Sequence, residues 1–402
     1  MIEKKTKIVA TIGPKTESVE MLTKLIKAGM NVARINMSHG DYEEQGNKIK
    51  NIREAEKLSG TKIAVLFDLA GPKIRTGGYT TETITIEAGK KIILTTEKIV
   101  GDEKKIHVNY DKLPQEVKKG TIILLDDGRK KLQVEKISGN EVHCKILIGG
   151  VLKARRGVNI PGEELSLSSI TPKDKKDLVF GLKQDIDFVA ISFVRKTEDI
   201  VTLRNILKKS KKDLPIIAKI ETKEAIDNLD NIIELVDGVM VARGDLAVEV
   251  ETELVPAYQK EIIEKCNIAG IPVITATQML ESMINNEFPT RAEVSDIANA
   301  ILDGTDAVML SEETTLGQYP IEAVTVMSKV ALATEKKHFV YEQSESITDA
   351  ISESVPRLAN EVGATAIVAL TESGQTARMV SRFDPSVPVY AFTSHNKTAR
   401  EL

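Results

Sequence analysis

The stretch Pro215-Ile216-Ile217-Ala218-Lys219-Ile220-Glu221 decides the fold. It opens on proline, runs apolar with little interruption, and ends on a lysine and an acid. A short run that is apolar at successive positions reads as a strand covered on both faces, because a strand with one wet face would alternate. The pattern recurs at 7–12, 31–36, 62–67, 187–193, 237–242, 271–276 and 306–310, making eight such runs in all. Helical patterns lie between most neighbours. Val19, Leu22 and Ile26 share one helical face, and 225–235 and 292–302 carry the same period. Eight β–α units point to an α/β fold, a (β/α)8 TIM-type barrel.

One connection breaks the rhythm. Between the third run and a helical pattern at 172–182 lies a stretch of different texture, residues 76–156. Thr83-Ile84-Thr85-Ile86 alternates with period two, and Asp126-Asp127-Gly128 and Ser138-Gly139-Asn140 read as turns between strands. This is expected to be a small all-β domain inserted in the barrel, which then comprises 1–75 and 157–335. From 336 a new β/α pattern begins: a helix at 347–362, a strand at 366–370, a helix at 375–383 and a strand at 387–392. Two strands and a partial helix make a poor domain by themselves, so the expectation for 336–402 is an incomplete C-terminal α/β domain, cut short or reduced at Leu402.

Bulk properties narrow the class. A chain of 402 residues exceeds one ordinary core, and two or three domains are expected. The 55 Lys+Arg against 59 Asp+Glu leave a net charge of −4, which is no footprint for nucleic acid. An anionic substrate must therefore be met by local basic groups. The two cysteines, Cys144 and Cys266, form no CxxC pair, which argues against a disulfide framework or cysteine zinc site and fits a reducing cytoplasm. The apolar run behind the charged N-terminus breaks at Gly13-Pro14, too short for a signal peptide. No stretch approaches the roughly 18 apolar residues of a membrane span. A cytoplasmic protein without nucleic-acid or membrane partners is the expectation.

Barrel active sites sit at the C-terminal ends of the strands, so the residues at the end of each run carry the most information. The first ends in Gly13-Pro14, and the second carries Arg34, Asn36, Ser38 and His39. The third leads into Asp68, then Gly71-Pro72-Lys73-Ile74-Arg75. The fourth ends in Ser192 and Arg195, the fifth in Lys219 and Glu221, and the sixth in Arg243-Gly244-Asp245. The seventh ends in Thr277-Gln278 and the eighth in Ser311-Glu312. One such end is ordinary punctuation; a full ring of them is a polar site. Its content suits phosphoryl transfer, which needs positioning and neutralisation of oxygen charge more than covalent chemistry. Lys219 can supply a point charge, Arg34 and Arg75 can fork onto phosphates, and Glu221 and Asp245 can hold Mg2+. No GxxxxGK[ST] loop, GxGxxG fingerprint or protein-kinase motif set is present.

The ordered motifs resemble the pyruvate kinase family. They begin with Thr6-Lys7-Ile8-Val9-Ala10-Thr11-Ile12-Gly13-Pro14, then Asn36-x-Ser38-His39-Gly40 and Asp68-x-x-Gly71-Pro72-Lys73-Ile74-Arg75. Next come Ile216-Ile217-Ala218-Lys219-Ile220-Glu221, Val241-Ala242-Arg243-Gly244-Asp245-Leu246 and Ala276-Thr277-Gln278-Met279-Leu280-Glu281-Ser282. Pro289-Thr290-Arg291-Ala292-Glu293 and Met309-Leu310-Ser311-x-Glu313-Thr314 complete the set. The inserted segment falls where that family carries its lid, a β-barrel domain.

The resemblance implies transfer of the phosphoryl group of phosphoenolpyruvate to ADP, giving pyruvate and ATP at the last step of glycolysis, with Mg2+ or Mn2+ as cofactor. It implies that Lys219 stabilises the transferring phosphoryl group and the enolate, and that Glu221 and Asp245 ligate the divalent metal. The backbone of Gly244 and Asp245 is expected to hold the substrate carboxylate, Thr277 to touch the substrate and help orient the group that protonates the enolate carbon, and Arg34 to bind the phosphoryl group. Asn36, His39, Arg75 and Lys173 are implied for the nucleotide phosphates. Asn36, Ser38, Asp68 and the Leu69 carbonyl are implied for a monovalent-cation pocket. A homo-oligomer, a homotetramer in the family, is implied too.

Two positions depart from the family pattern. Lys73 stands where many members carry Glu and require potassium; its ammonium can replace the ion's charge, so potassium is expected to be dispensable. Ala247 replaces the usual Gly, adding one methyl with little expected consequence. In the last segment Thr371, Ser373, Gly374 and Thr376 lie between a strand and a helix, where hydroxyls and a helix start can cradle a phosphate. In the family this resembles half of an effector site.

Each residue has a plainer reading. Lys219 can be an ion-pair partner of Glu221, the acids can cap helices, Asn36 and Ser38 can form turns, and Thr277 can be a buried hydroxyl bonded to backbone. Lys173 can be a surface lysine, His39 structural, and the loop at 371–376 an ordinary β–α turn. Met279 and Met283 read as core. Two rival functions are a metal-dependent lyase or aldolase acting on pyruvate-like enolates, and an inactive regulatory subunit. The inserted domain and the Arg34/Arg75 pair speak against the first, and the full set of chemical residues against the second.

Overall fold

A computed structural model describes residues 4–335 and 346–402. The expected start of the last unit at 336 lies outside the described residues. Eight parallel strands close a barrel in sequence order: β1 (Lys7–Thr11), β2 (Val32–Asn36), β3 (Ala64–Asp68), β4 (Phe188–Ile191), β5 (Ile216–Ile220), β6 (Gly238–Ala242), β7 (Val273–Ala276) and β8 (Ala307–Leu310), with β8 returning to β1 through Lys7 opposite Ala307. Strands β3 and β4 pair directly, Leu66 opposite Phe188, although the inserted segment separates them in sequence.

The barrel has two apolar layers. Val9, Leu66, Ala190, Ile217, Met240, Ala276, Ala307 and Met309 fill the interior. Residues of opposite phase, such as Ile8, Val65, Val189, Ile216, Ala218 and Val239, pack outward under the helices. Burial of both faces is why these strands lack alternation. Local capping sets several helices. Ser18 caps Val19–Ala28, which stops at left-handed Gly29, while Thr171 with Asp174 and Thr290 with Glu293 make capping boxes for Pro172–Gly181 and Arg291–Leu302.

Two sequence expectations need correction. The runs at 31–36, 187–193, 237–242 and 306–310 begin one residue before the strands do. Their first residues, Asn31, Asp187, Asp237 and Asp306, instead accept from Ile8 N–H (3.0 Å), Val65 N–H (2.7 Å), Ile216 N–H (2.8 Å) and Val273 N–H (2.8 Å). Each side chain thus satisfies a backbone donor at the bottom of the preceding odd-numbered strand. The single helix expected over 225–235 is two, Lys223–Asp227 and Leu229–Ile233. Asn228 at the joint donates its amide to the carbonyls of Arg195 and Glu224, 3.0 Å each, a side-chain alternative to helical bonding.

The inserted segment, joined by the strand Val158–Asn159 just past its expected end at 156, forms a six-stranded and a two-stranded sheet around its own apolar cluster, with Ile92, Leu94, Ile123, Leu132 and Val142 fully buried. The last segment has two parallel strands, Ile367–Leu370 and Val389–Phe392, with helices Ile347–Glu361, Gln375–Ser381 and Asn396–Glu401. It docks on the barrel through Arg400, which reaches Glu56 and Asp185 at 3.0 Å each, and through Arg382 to the Ile268 carbonyl (2.9 Å).

Candidate active site

Strand phase builds the site. Ile217 points into the barrel, so Lys219 and Glu221, two and four residues on, do the same. The same parity brings Arg34 and Asn36 from β2, Asp68 from β3 and Ser192 after β4 to the top of the barrel. Arg34, Asn36, Ser38, Leu69, Lys73, Ser192, Lys219, Glu221, Asp245 and Thr277 line one open cavity over a floor of Met240 and Met309.

Lys219 is 8% exposed and central. Its Nζ donates to Ser192 Oγ (2.7 Å) and lies 2.8 Å from Glu221 Oε1 and 3.6 Å from Asp68. Burial alone would lower its pKa, but the charges of Asp68 and Glu221 outweigh burial and raise it. The ammonium therefore stays charged. Glu221 is 0% exposed. Its Oε2 accepts from Phe193 N–H (2.7 Å), while Oε1 has the Lys219 ion contact but no aligned hydrogen bond. Burial pushes this carboxyl up against the pull of Lys219, and Asp245 adds to the push. A buried oxygen without a hydrogen bond, beside a second acid on the same cavity, fits a hard divalent cation. Glu221 and Asp245 are the residues that could hold it.

Arg34 is clamped. Its Nε and Nη2 each lie 2.7 Å from Asp68 Oδ2, and Nη1 donates to Thr11 Oγ1 (2.9 Å). Burial would raise the Asp68 carboxyl, but Lys219 and Arg34, with Lys73 behind them, hold it below the usual range. Lys73 stands on the same cavity, with Nζ 5.6 Å from the Phe193 ring centroid. Of the groups expected for a monovalent cation, Asn36 Oδ1 accepts from Ser38 N–H (3.0 Å) and the Leu69 carbonyl accepts from Ser192 (2.7 Å).

The nucleotide candidates gather beside this cavity. Burial and the positive charges of Lys73, Arg75, Arg34 and Lys48 lower the pKa of His39, so a basic cluster surrounds that imidazole. Lys173 donates to the Met37 carbonyl and to Asp177, 2.6 Å each, which brings it to the same loop. Thr371, Ser373, Gly374 and Thr376 lie in the last segment, away from the cavity lining. There Gly374 N–H already bonds the Thr371 hydroxyl (2.9 Å).

The seventh strand end is strained. Thr277 and Gln278 have φ of 69° and 56°, and a β-branched residue is an outlier there. Arg243 supports the bend, donating to the Thr277 carbonyl (2.7 Å) and pairing with Asp296 (2.8 Å). The Thr277 hydroxyl accepts from Gly244 N–H (2.8 Å), so one of the amides expected for the substrate carboxylate is engaged within the protein. Sequence reasoning gave no role to Ser192 or Arg243. Neither carried a local signal: the phase that turns Ser192 inward with Ala190, and the contacts of Arg243, appear only in the closed barrel.

A model of the pyruvate kinase barrel domain matches residues 3–324, and a model of the pyruvate kinase alpha/beta domain matches 349–402. A pyruvate kinase of Bacillus licheniformis is 50% identical over 99% of this chain and 70% of its own length. One of Thermotoga maritima is 47% identical over 99% of this chain and 86% of its own. The crystal structure of a pyruvate kinase from Cryptosporidium parvum superposes with a TM-score of 0.94 at 40% identity, covering 99% of this chain and 84% of that one.

Proposed function

The chain belongs to the pyruvate kinase family, and on that premise we propose how its own residues carry the reaction. It is a phosphotransferase of glycolysis, transferring the phosphoryl group of phosphoenolpyruvate to ADP to give pyruvate and ATP. The family generally uses Mg2+ and K+.

The observation that supports the site assignment is the meeting of Lys219, Glu221 and Asp245 on one cavity. In this reading Arg34 and Lys219 face the phosphoryl oxygens, and the charged ammonium of Lys219 also faces the enol oxygen. The phosphorus–enol oxygen bond breaks as a bond forms to a β-phosphate oxygen of ADP. Lys219 offsets the charge left on the departing oxygen, and the enolate carbon then takes a proton, with the Thr277 hydroxyl helping to orient the donor. A divalent cation, Mg2+ or Mn2+, on Glu221 and Asp245 would neutralise substrate oxygen charge. The backbone of Gly244 and Asp245 holds the substrate carboxylate, the Gly244 N–H exchanging the Thr277 hydroxyl for it when substrate binds, and Asn36, His39, Arg75 and Lys173 hold the nucleotide phosphates.

In the same reading 1–75 with 157–335 is the catalytic barrel, apart from Val158–Asn159, which pairs into the inserted sheet; 76–156 is a lid that excludes water, and 336–402 is a regulatory domain whose effector residues are Thr371, Ser373, Gly374 and Thr376. Lys73 supplies the monovalent charge beside Asn36, Ser38, Asp68 and Leu69. The protein works in the cytoplasm as a homo-oligomer. Pyruvate release from phosphoenolpyruvate, measured by a coupled assay with and without ADP and Mg2+, tests the reading. Release without ADP would favour a lyase instead.

A further inference from the structure

The inserted domain touches the barrel at a place that the phosphoryl-transfer chemistry does not use. Asp126-Asp127-Gly128 turns sharply, with φ of 54°, 53° and 81° at the three positions. The short strand Val158–Asn159 pairs with residues just before that turn, Val158 opposite Leu125 and Asn159 opposite Leu124. Turn and strand therefore form one corner of the domain. That corner meets helix Arg243–Glu249, the helix that presents Asp245, at two successive residues. A Cβ on Gly128 would lie in ordinary contact, 3.7 Å, with a methyl of Val248. Asn159 Nδ2 donates to Glu249 Oε1 at 2.8 Å.

Glu249 is half-buried, and among the described residues Asn159 is the hydrogen-bond donor that its carboxylate meets. Burial pushes the carboxyl up, as do the nearby charges of Asp245 and Glu221; the Asn159 hydrogen bond and Arg195 pull the other way. Lifting the corner removes that hydrogen bond from a carboxylate already poorly solvated, so the contact favours the corner staying down.

We propose that Glu249 is a positioning residue: with Asn159 it latches the inserted domain onto the helix that carries Asp245, coupling closure over the nucleotide to the geometry of the metal-binding acid. It touches neither substrate nor metal and acts through the domain it holds. This rests on the assignment of Asp245 to the substrate site. Loss of the latch lowers the population of the closed form, and saturating nucleotide restores it, so the effect falls on apparent affinity.

The test uses Asn159→Ala, Glu249→Ala, the double variant, Glu249→Gln and, as a control on the site, Asp245→Asn, with steady-state kinetics and thermal unfolding of each. Each alanine variant is expected to raise KM for ADP about tenfold, the scale of one charge-assisted hydrogen bond, with kcat within about twofold. The double variant is expected to match the worse single, because both remove one contact. Glu249→Gln retains an acceptor but loses the charge, and its KM for ADP is expected about threefold above the parent, between parent and alanine. If Glu249→Ala does not fold, Asn159→Ala and Glu249→Gln carry the test alone. Unchanged KM for ADP, multiplying effects in the double variant, or a glutamine variant as impaired as alanine would overturn the latch. Full activity in Asp245→Asn would overturn the site assignment and the latch with it; loss there beside unchanged latch variants removes the latch alone.

Discussion

Arg34 grips Asp68 through two nitrogens, Nε and Nη2 both 2.7 Å from one carboxylate oxygen, and Asp68 is 1% exposed. The pair joins β2 to β3 directly under the cavity, and Lys219 leans on the same carboxylate. One acid therefore orients both cations assigned to the phosphoryl group, and removing it leaves two buried positive groups short of a partner.

Asp68→Asn is expected to destabilise the fold by about 3–5 kcal/mol at neutral pH, the scale for breaking a buried ion pair. The folded carboxyl titrates below its ordinary value of 3.8. A depressed carboxyl stabilises the fold at pH above the unfolded value, and that contribution is lost as pH falls from there through the folded one. The stability gap between parent and variant is thus expected to stay constant at neutral pH and narrow below about pH 4, read by denaturant unfolding across pH. A gap constant down to the acid limit would contradict the role of the charge.

Lys219→Met removes the ammonium and keeps much of the side-chain volume. A loss of at least about 10²-fold in kcat is expected, as for other major electrostatic stabilisers. Near-parental pyruvate formation in a folded variant would sink the assignment of this residue.

Glu221→Gln keeps an acceptor for Phe193 N–H but loses the charge offered to a cation. The Mg2+ concentration at half-maximal activity is expected to rise roughly tenfold or more. An unshifted Mg2+ titration would remove Glu221 from the ligand set.

Lys73 faces the cavity near Asp68 and Phe193, a fixed monovalent charge where a mobile one would otherwise serve. The parent is expected to work without potassium, and Lys73→Glu is expected to become dependent on KCl. Strong activation of the parent when KCl is added to potassium-free buffer would refute this.

Arg400 ties helix Asn396–Glu401 to Glu56 and Asp185 on the barrel. Arg400→Ala is expected to speed proteolytic cleavage in 346–402 while barrel activity persists. The energetic effect is expected to be about 1–3 kcal/mol: Asp185 is largely exposed, while Glu56 is buried and keeps Arg53 and Lys62 beside it. Equal cleavage rates would show that other contacts hold the segment.

The sequence by itself determined the architecture and the chemical inventory. Eight two-faced apolar runs lead to a closed parallel barrel, and the polar residues after each run, Lys219, Glu221, Asp245 and Thr277 among them, can be read in order because barrel chemistry gathers at strand ends. Tertiary structure alone decided which groups pair. A strand buried on both faces has no alternation to reveal its inward phase, so Ser192 beneath Lys219 and the Arg34–Asp68 clamp stay invisible until the barrel closes. The same holds for Arg243 behind Thr277 and Asn159 on Glu249: these partners lie tens of residues apart, and chain closure in three dimensions, with no local pattern to announce it, brings them within bonding distance.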